Sequence, residues 1–270
     1  LKLRLGDPST YPDSEAFFKD ALVTEFLRKL DIDIGLDKEK VAVESFWASE
    51  HQCFKTNRRL SRYLPTSLDL LEIGDLAVMR FIDAWRKELK LALRPLPTHL
   101  VPRFSGGATY ADSGALTTTP DKMSSQPTSY HGTIDLHPFF WETSWGANVL
   151  ARQSSPRTVR GNIFFTVPKD SEKYRGCAKE ASIPVSLQLD VARTLRAGLL
   201  RGFGIDLING WKIHREMARV ASVDNTFSTI DLSNASDTVA RVLVELLLPK
   251  EWFTLLTSLR APMTRVKGKW

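Results

Sequence analysis

The chain has 270 residues, 43% of them apolar and 25% charged, with a formal net charge of +6 and a pI near 9.3. That length and apolar share suit one large or two smaller globular domains with a packed core. Two isolated cysteines, Cys53 and Cys177, exclude zinc ribbons and CxxC redox motifs, and no apolar run reaches the roughly 18–20 residues of a membrane span.

The first ninety residues read as helix. Asp13-Ser14 after Pro12 caps a helix to about Leu30, a second runs over 38–63 until Pro65, and a third, strongly apolar, runs from about Ser67 to Ala92. Trp47 and Trp85, at helical spacing, are most simply core. Residues 95–160 are rich in Gly, Ser, Thr and Pro and predict a long irregular region, although Phe139, Phe140, Trp141 and Trp145 argue against disorder there. Ile163–Val167 predicts a strand, Pro168–Ser171 a turn and Arg175–Lys179 a second extended run. Pro184 sits in the first turn of a helix to about Arg201, with Gly202 and Gly204 as C-cap candidates. A short helix follows near 211–220. Phe227–Asp231 then predicts a strand running into a helix over 234–248, with Asn234 and Asp237 resembling a capping box; Pro249 ends that helix and starts another.

The charge is not evenly spread. Residues 151–220 carry thirteen Lys/Arg and six Asp/Glu, a net of +7, so the rest of the chain is near −1. A local anion site is the expectation from that asymmetry. Within the segment, Lys169, Lys173 and Arg175 lie on the predicted hairpin, where Arg clamps phosphates through its planar fork and Lys as a point charge. A solvated basic hairpin is the alternative. Asp231 and Asp237, at the edge of the predicted strand and one helical turn on, could bind magnesium for nucleotidyl transfer, or could bond a loop and cap a helix. Spacing alone leaves both readings open. His131 and His137 have no partner at ligand spacing, Ser105–Thr109 lacks the Lys-Ser/Thr ending of a P-loop, and Gly202-Phe203-Gly204 follows no strand.

Several strings, in order along the chain, resemble the replicase β subunit of levivirus-type single-stranded RNA bacteriophages, an RNA-directed RNA polymerase. Thr229–Asp237 resembles that family's palm motif A, and Phe165–Lys169 continuing to Arg175 and Glu180 resembles its motif F. Leu246–Phe253, Leu259–Pro262 and Gly204–Leu207 resemble the segments around them, and Cys53–Arg59 and Phe104–Thr109 resemble fingers segments. The chain departs from the pattern at Glu172, where a Lys is usual, and at Ala181, where a Pro is usual.

The resemblance implies an α+β, right-hand polymerase architecture. Residues 1–223 would form the N-terminal helical region and fingers, and 224–270 the first strand and helix of the palm. It implies a two-magnesium mechanism with Mg2+ bound by Asp231 and the Leu232 carbonyl. Asp237 would sense the ribose 2′-hydroxyl, and Lys169, Arg175 and Lys173 would hold the triphosphate. The implied partners are RNA template, nascent RNA, ribonucleoside triphosphates and host elongation factors Tu and Ts, with no membrane, in the cytoplasm of an infected bacterium. Motif B and the Gly-Asp-Asp of motif C do not occur in the 270 residues, so a fragment that does not polymerise by itself is expected. The competing classes are a non-catalytic RNA-binding protein using residues 151–220, and another magnesium-dependent phosphotransferase.

Overall fold

The computed structural model describes residues 5–30, 33, 35–228 and 230–270. The chain is α+β and rich in helix, with two small sheets. None of its described helices is long and apolar enough to cross a membrane.

Helix α1 spans Ser14–Lys29 and α2 spans Lys38–Leu60. Each starts at an aspartate whose carboxylate accepts an otherwise orphaned N–H: Asp13 from Ala16 and Asp37 from Lys40. The third helix begins later than its apolar pattern suggests. Short 3-10 turns cover Pro65–Leu70 and Ile73–Asp75 before α3 runs Leu76–Ala92. Asp75 imposes this break, accepting from Glu72 N–H, from Arg62 and from the Tyr63 hydroxyl.

The region predicted to be irregular is largely ordered, which corrects the compositional reading. It contains α4 (Thr119–Ser124), α5 (His137–Trp141), α6 (Ser144–Ala151) and the strands β1 (Thr128–Ser129) and β2 (Arg157–Thr158), paired in parallel. Long-range burial overrides local composition here. Phe140, Trp145 and Val149 are fully buried, with Phe140 and Trp145 edge-to-face at 4.7 Å. They join Ile183, Leu187 and Val191 of α7 (Ser182–Phe203) and Trp252, Leu255 and Leu259 of α10 (Lys250–Leu259) in the main core.

Helix α7 is central and unusually polar where it is buried. Its first N–H groups are met from β1 and just beyond: Ser182 N–H donates to Thr128 Oγ1, Ala181 N–H to the Tyr130 hydroxyl, and Thr128 N–H returns a bond to Ser182 Oγ. Gly204 closes the helix in the left-handed region (φ 66°), as the sequence suggests. Gly202 instead lies inside it, where a Cβ would stand 2.5 Å from Ala92 Cβ.

Strands β3 (Asn162–Pro168) and β4 (Tyr174–Lys179) form the expected antiparallel hairpin. A two-residue strand β5 (Thr264–Arg265) adds in parallel on the far side of β3, giving the order β4-β3-β5. Helix α8 covers Gly210–Asp224 and α9 covers Arg241–Leu247. Helix α9 packs with α2 and α3 in a second core of Ile82, Val242 and Leu246.

The predicted strand-to-helix junction takes another form. Thr229 lies outside the described residues; Phe227, Ser228 and Ile230–Leu232 are not in a strand, and turns occupy 233–238. Phe227 and Ile230 (85% exposed) have β propensity but no neighbouring strand among the described residues to complete a ladder. Asn234 has φ 55°, the left-handed region, whereas an N-cap needs extended backbone, so no capping box forms and the helix starts only at Arg241. Trp47 and Trp85 are exposed rather than core.

Asp190 supports the joint between α7 and the segment after α3. It is 2% exposed and accepts from Val101 N–H at 3.1 Å, Arg103 Nε at 2.9 Å and Arg193 Nε at 3.0 Å. Burial by itself pushes its pKa up, but these donors outweigh burial and hold it below the usual carboxylate value. Asp190→Ala should cost about 2–4 kcal/mol at neutral pH, below the full penalty for a broken buried pair because both arginines stay in water. A depressed carboxylate stabilises above its unfolded pKa and loses that contribution as pH falls through the folded one. The gap between wild type and variant in urea unfolding should therefore be constant from pH 7 to 5 and shrink below about pH 4.

Candidate functional site

A cleft of about 710 Å³ lies between the β3–β4 hairpin and the turns of residues 234–237. One wall carries Lys169, Lys173 and Arg175; the other is Asn234-Ala235-Ser236-Asp237; Ala42, Ser45 and Phe46 of α2 form the floor. Four of the site residues expected from sequence, Lys169, Lys173, Arg175 and Asp237, thus line one space although 62 residues separate Arg175 from Asp237 (237 − 175).

Each wall has an identifiable cause. The hairpin turn is shaped by Asp170, whose Oδ1 accepts from Glu172 N–H at 3.0 Å and Lys173 N–H at 2.8 Å. Ser171 N–H donates to the Arg28 carbonyl at the end of α1, fixing the turn from outside. Lys173 lines the cleft while Glu172 does not, so the substitution of Glu172 in the motif puts no acid among the lining side chains. Phe164 stacks on Phe46 at 4.8 Å and anchors the hairpin to α2. The opposite wall is tied to the same helix: Cys53 Sγ donates to the Asp237 carbonyl at 3.4 Å, and Asn57 Oδ1 accepts from Val242 N–H at 2.8 Å, capping the first turn of α9. Burial, with Glu50 adding to it, pushes the Cys53 thiol pKa up, which keeps it protonated and able to donate.

The base of the hairpin is held by a buried polar chain. The Tyr130 hydroxyl accepts from Ala181 N–H and donates to Glu180 Oε2 at 2.5 Å, and Glu180 Oε1 accepts from Asn162 Nδ2 at 2.6 Å. Burial first, and then the Glu180 charge, push the Tyr130 pKa well above its ordinary value, so this hydroxyl stays a donor at all accessible pH. Asn162 and Thr264 also border a second cavity of about 380 Å³, with Glu180, Gln188 and Arg260.

Asp231 and Leu232 lie apart from the cleft, on the exposed stretch before the turns; Leu232 is 68% exposed. Among the described residues no three His, Cys, Asp or Glu side chains converge in a way that could hold a metal ion. His137 bonds Ser129 Oγ at 2.8 Å and burial pushes its pKa down, whereas His131 is exposed; neither faces the cleft. Ser45, Phe46, Asn162 and Thr264 were not marked by sequence, because only tertiary packing brings them to the hairpin.

Residues 2–270 match the family described as RNA replicase, beta-chain. The RNA-directed RNA polymerase subunit beta of Enterobacteria phage SP is 35% identical over 265 residues, covering 94% of this chain and 43% of that protein. The corresponding subunit of Escherichia virus Qbeta is 33% identical over 251 residues, covering 91% and 41%. The RNA-directed RNA polymerase beta chain of Escherichia phage MS2 is 39% identical over a shorter 113 residues. The chain belongs to the RNA replicase beta-chain family, and spans about two-fifths of the length of the first two of these relatives.

Gly176 makes the hairpin wall possible. A Cβ there would stand 2.8 Å from the Phe164 ring, which lies across it and against Phe46. Gly176→Ala should displace that ring and cost about 1–3 kcal/mol of stability, read as a lower urea midpoint at unchanged slope.

Proposed function

We propose that this chain forms the fingers and the opening part of the palm of a right-handed RNA-directed RNA polymerase, with residues 1–223 in the former and 224–270 in the latter. The observation that carries this reading is the cleft in which Lys169, Lys173 and Arg175 face the Asn234–Asp237 turn. Three cations on the hairpin wall, with neither Asp170 nor Glu172 among the lining residues, suit a triphosphate. A carboxylate on the far wall suits a sugar hydroxyl.

In this reading Lys169, Lys173 and Arg175 bind the triphosphate and neutralise charge on the departing pyrophosphate. Asp237 accepts from the ribose 2′-hydroxyl and so selects ribonucleotides. Magnesium, when bound in the whole enzyme, supplies charge stabilisation at the reacting phosphate. Asp231 and the Leu232 carbonyl contribute to holding it, together with donors outside these 270 residues. RNA template, nascent RNA and ribonucleoside triphosphates are the proposed ligands, and host elongation factors Tu and Ts the proposed partners of the whole enzyme, in the cytoplasm of an infected bacterium.

Two measurements test the reading. ATP binding to the 270-residue chain, followed by equilibrium dialysis, should weaken about 10–100-fold for Lys169→Ala or Arg175→Ala, the loss of one charge-assisted bond. Asp237→Ala should bring ATP and dATP affinities together; undiminished preference for ATP would remove Asp237 from sugar recognition. The chain alone should incorporate no nucleotide on a primed RNA template, and in a full-length β subunit Asp231→Ala should abolish synthesis while RNA binding persists. Synthesis by that variant would refute the metal role.

A further inference from the structure

The three-stranded sheet has two faces, and the cleft lies mainly against one of them. Residues paired across a ladder share a face, and neighbours along a strand alternate. Asn162, Phe164 and Thr166 therefore share a face with Thr264, Ala178 and Gly176. That is the side on which Phe164 meets Phe46 and α2 closes the cleft. Ile163, Phe165 and Val167 face the other way with Cys177 and Arg175, which also border the cleft at the turn end of the hairpin; at the opposite end Lys179 and Arg265 flank Ile163 on that side, one from each neighbouring strand.

This reverse face is open and basic. Ile163, Phe165 and Val167 belong to none of the three hydrophobic cores and are only partly buried. The three strands contain no Asp or Glu. Lys179 Nζ stands 5.1 Å from the centre of the Phe165 ring, and Arg160, just before β3, stands over Trp270 at 5.7 Å. Among the described residues, Arg160, Lys179 and Arg265 are in no ion pair. Covering such a face with an apolar surface would strip water from unpaired cations at a large cost. A solvated polyanion avoids that cost, and one with flat rings also uses Phe165. An acidic peptide answers the charge but has no regular rings to stack; a duplex has its bases already stacked.

We infer that the reverse face of the β4-β3-β5 sheet is a binding platform for single-stranded RNA. Phosphates lie along Lys179 and Arg265, and a base stacks on Phe165. The choice of RNA as the strand rests on the polymerase reading above; the platform itself is separate from the triphosphate cleft, whose lining includes neither Lys179 nor Arg265.

The test is fluorescence anisotropy of a 5′-fluorescein-labelled, unstructured RNA of about twelve nucleotides, within the usual site size, titrated with the 270-residue chain at several salt concentrations. Removing two phosphate contacts in Lys179→Ala/Arg265→Ala should lower the slope of log affinity against log salt by about 1.4, at roughly 0.7 per contact on a single strand. Phe165→Leu, which keeps an apolar side chain but removes the ring, should weaken binding roughly five- to hundredfold with little change in slope. Both variants should bind ATP as the wild type does, which also reports that the neighbouring cleft is folded. RNA binding by both variants with wild-type affinity and slope would overturn the platform. So would full displacement of the RNA by polyglutamate with no effect of Phe165→Leu, the signature of an acidic protein partner. Loss of the RNA effect alone leaves the triphosphate cleft standing, and failure of wild-type ATP binding with a reduced RNA slope in the double variant leaves the platform standing.

Discussion

Helix α2 is the member on which the candidate site depends. The two walls of the cleft have no described hydrogen bond to each other, but both are fastened to this helix: the hairpin through Phe164 on Phe46, the 237–242 segment through Cys53 and Asn57. Eleven residues separate Phe46 from Asn57, or roughly 16 Å of helix at 1.5 Å per residue. The width of the cleft is thus set by the most regular object in the fold. Because Phe46 and Asn57 are also three turns apart, both side chains leave α2 toward the same side, which is why one helix can serve both walls.

The polar interior of α7 does comparable work for the rest of the chain. Thr128, Tyr130 and the Glu180–Asn162 pair satisfy donors at the start of the helix and at the base of the hairpin, and Asp190 binds the segment after α3. These bonds are directional, so they locate β1, β3 and the 101–103 segment relative to one helix in a way apolar contact alone would not. The basic hairpin therefore projects from a fixed base, and its cations can crowd together without folding back onto the core.

Much of this was legible in the sequence where the signal is local. The caps of α1 and α2, the β3–β4 hairpin, the Gly204 stop and the Pro249 break are each written in adjacent residues. The concentration of cations in 151–220 pointed to the hairpin wall of the cleft. What local chemistry could not supply was partnership. Phe227 and Ile230 favour a strand, yet a strand exists only beside another, and none of the described strands lies next to them. The Gly- and Ser-rich 95–160 region reads as loop, yet Phe140 and Trp145 draw it into the core. Trp47 and Trp85 sit at helical spacing but on faces that nothing in the described residues covers. The same limit applies to Asp231, which the resemblance marks and which joins no cluster of three or more His, Cys, Asp or Glu among the described residues.

The parallel pairing of β5 with β3 has a consequence for the order in which the chain assembles. Asn162 pairs with Thr264, a partner synthesised about a hundred residues later. A hairpin closes in about 1–10 μs, whereas a ribosome needs roughly 5–20 s to add that length. The β3–β4 hairpin is therefore complete for seconds while one of its edges still offers free amides. Exposed edges invite pairing with other chains, and charge on and beside them discourages it. Arg160, Lys169, Arg175 and Lys179 put four like charges on and beside this hairpin, the kind of charge that discourages edge pairing until β5 takes the edge.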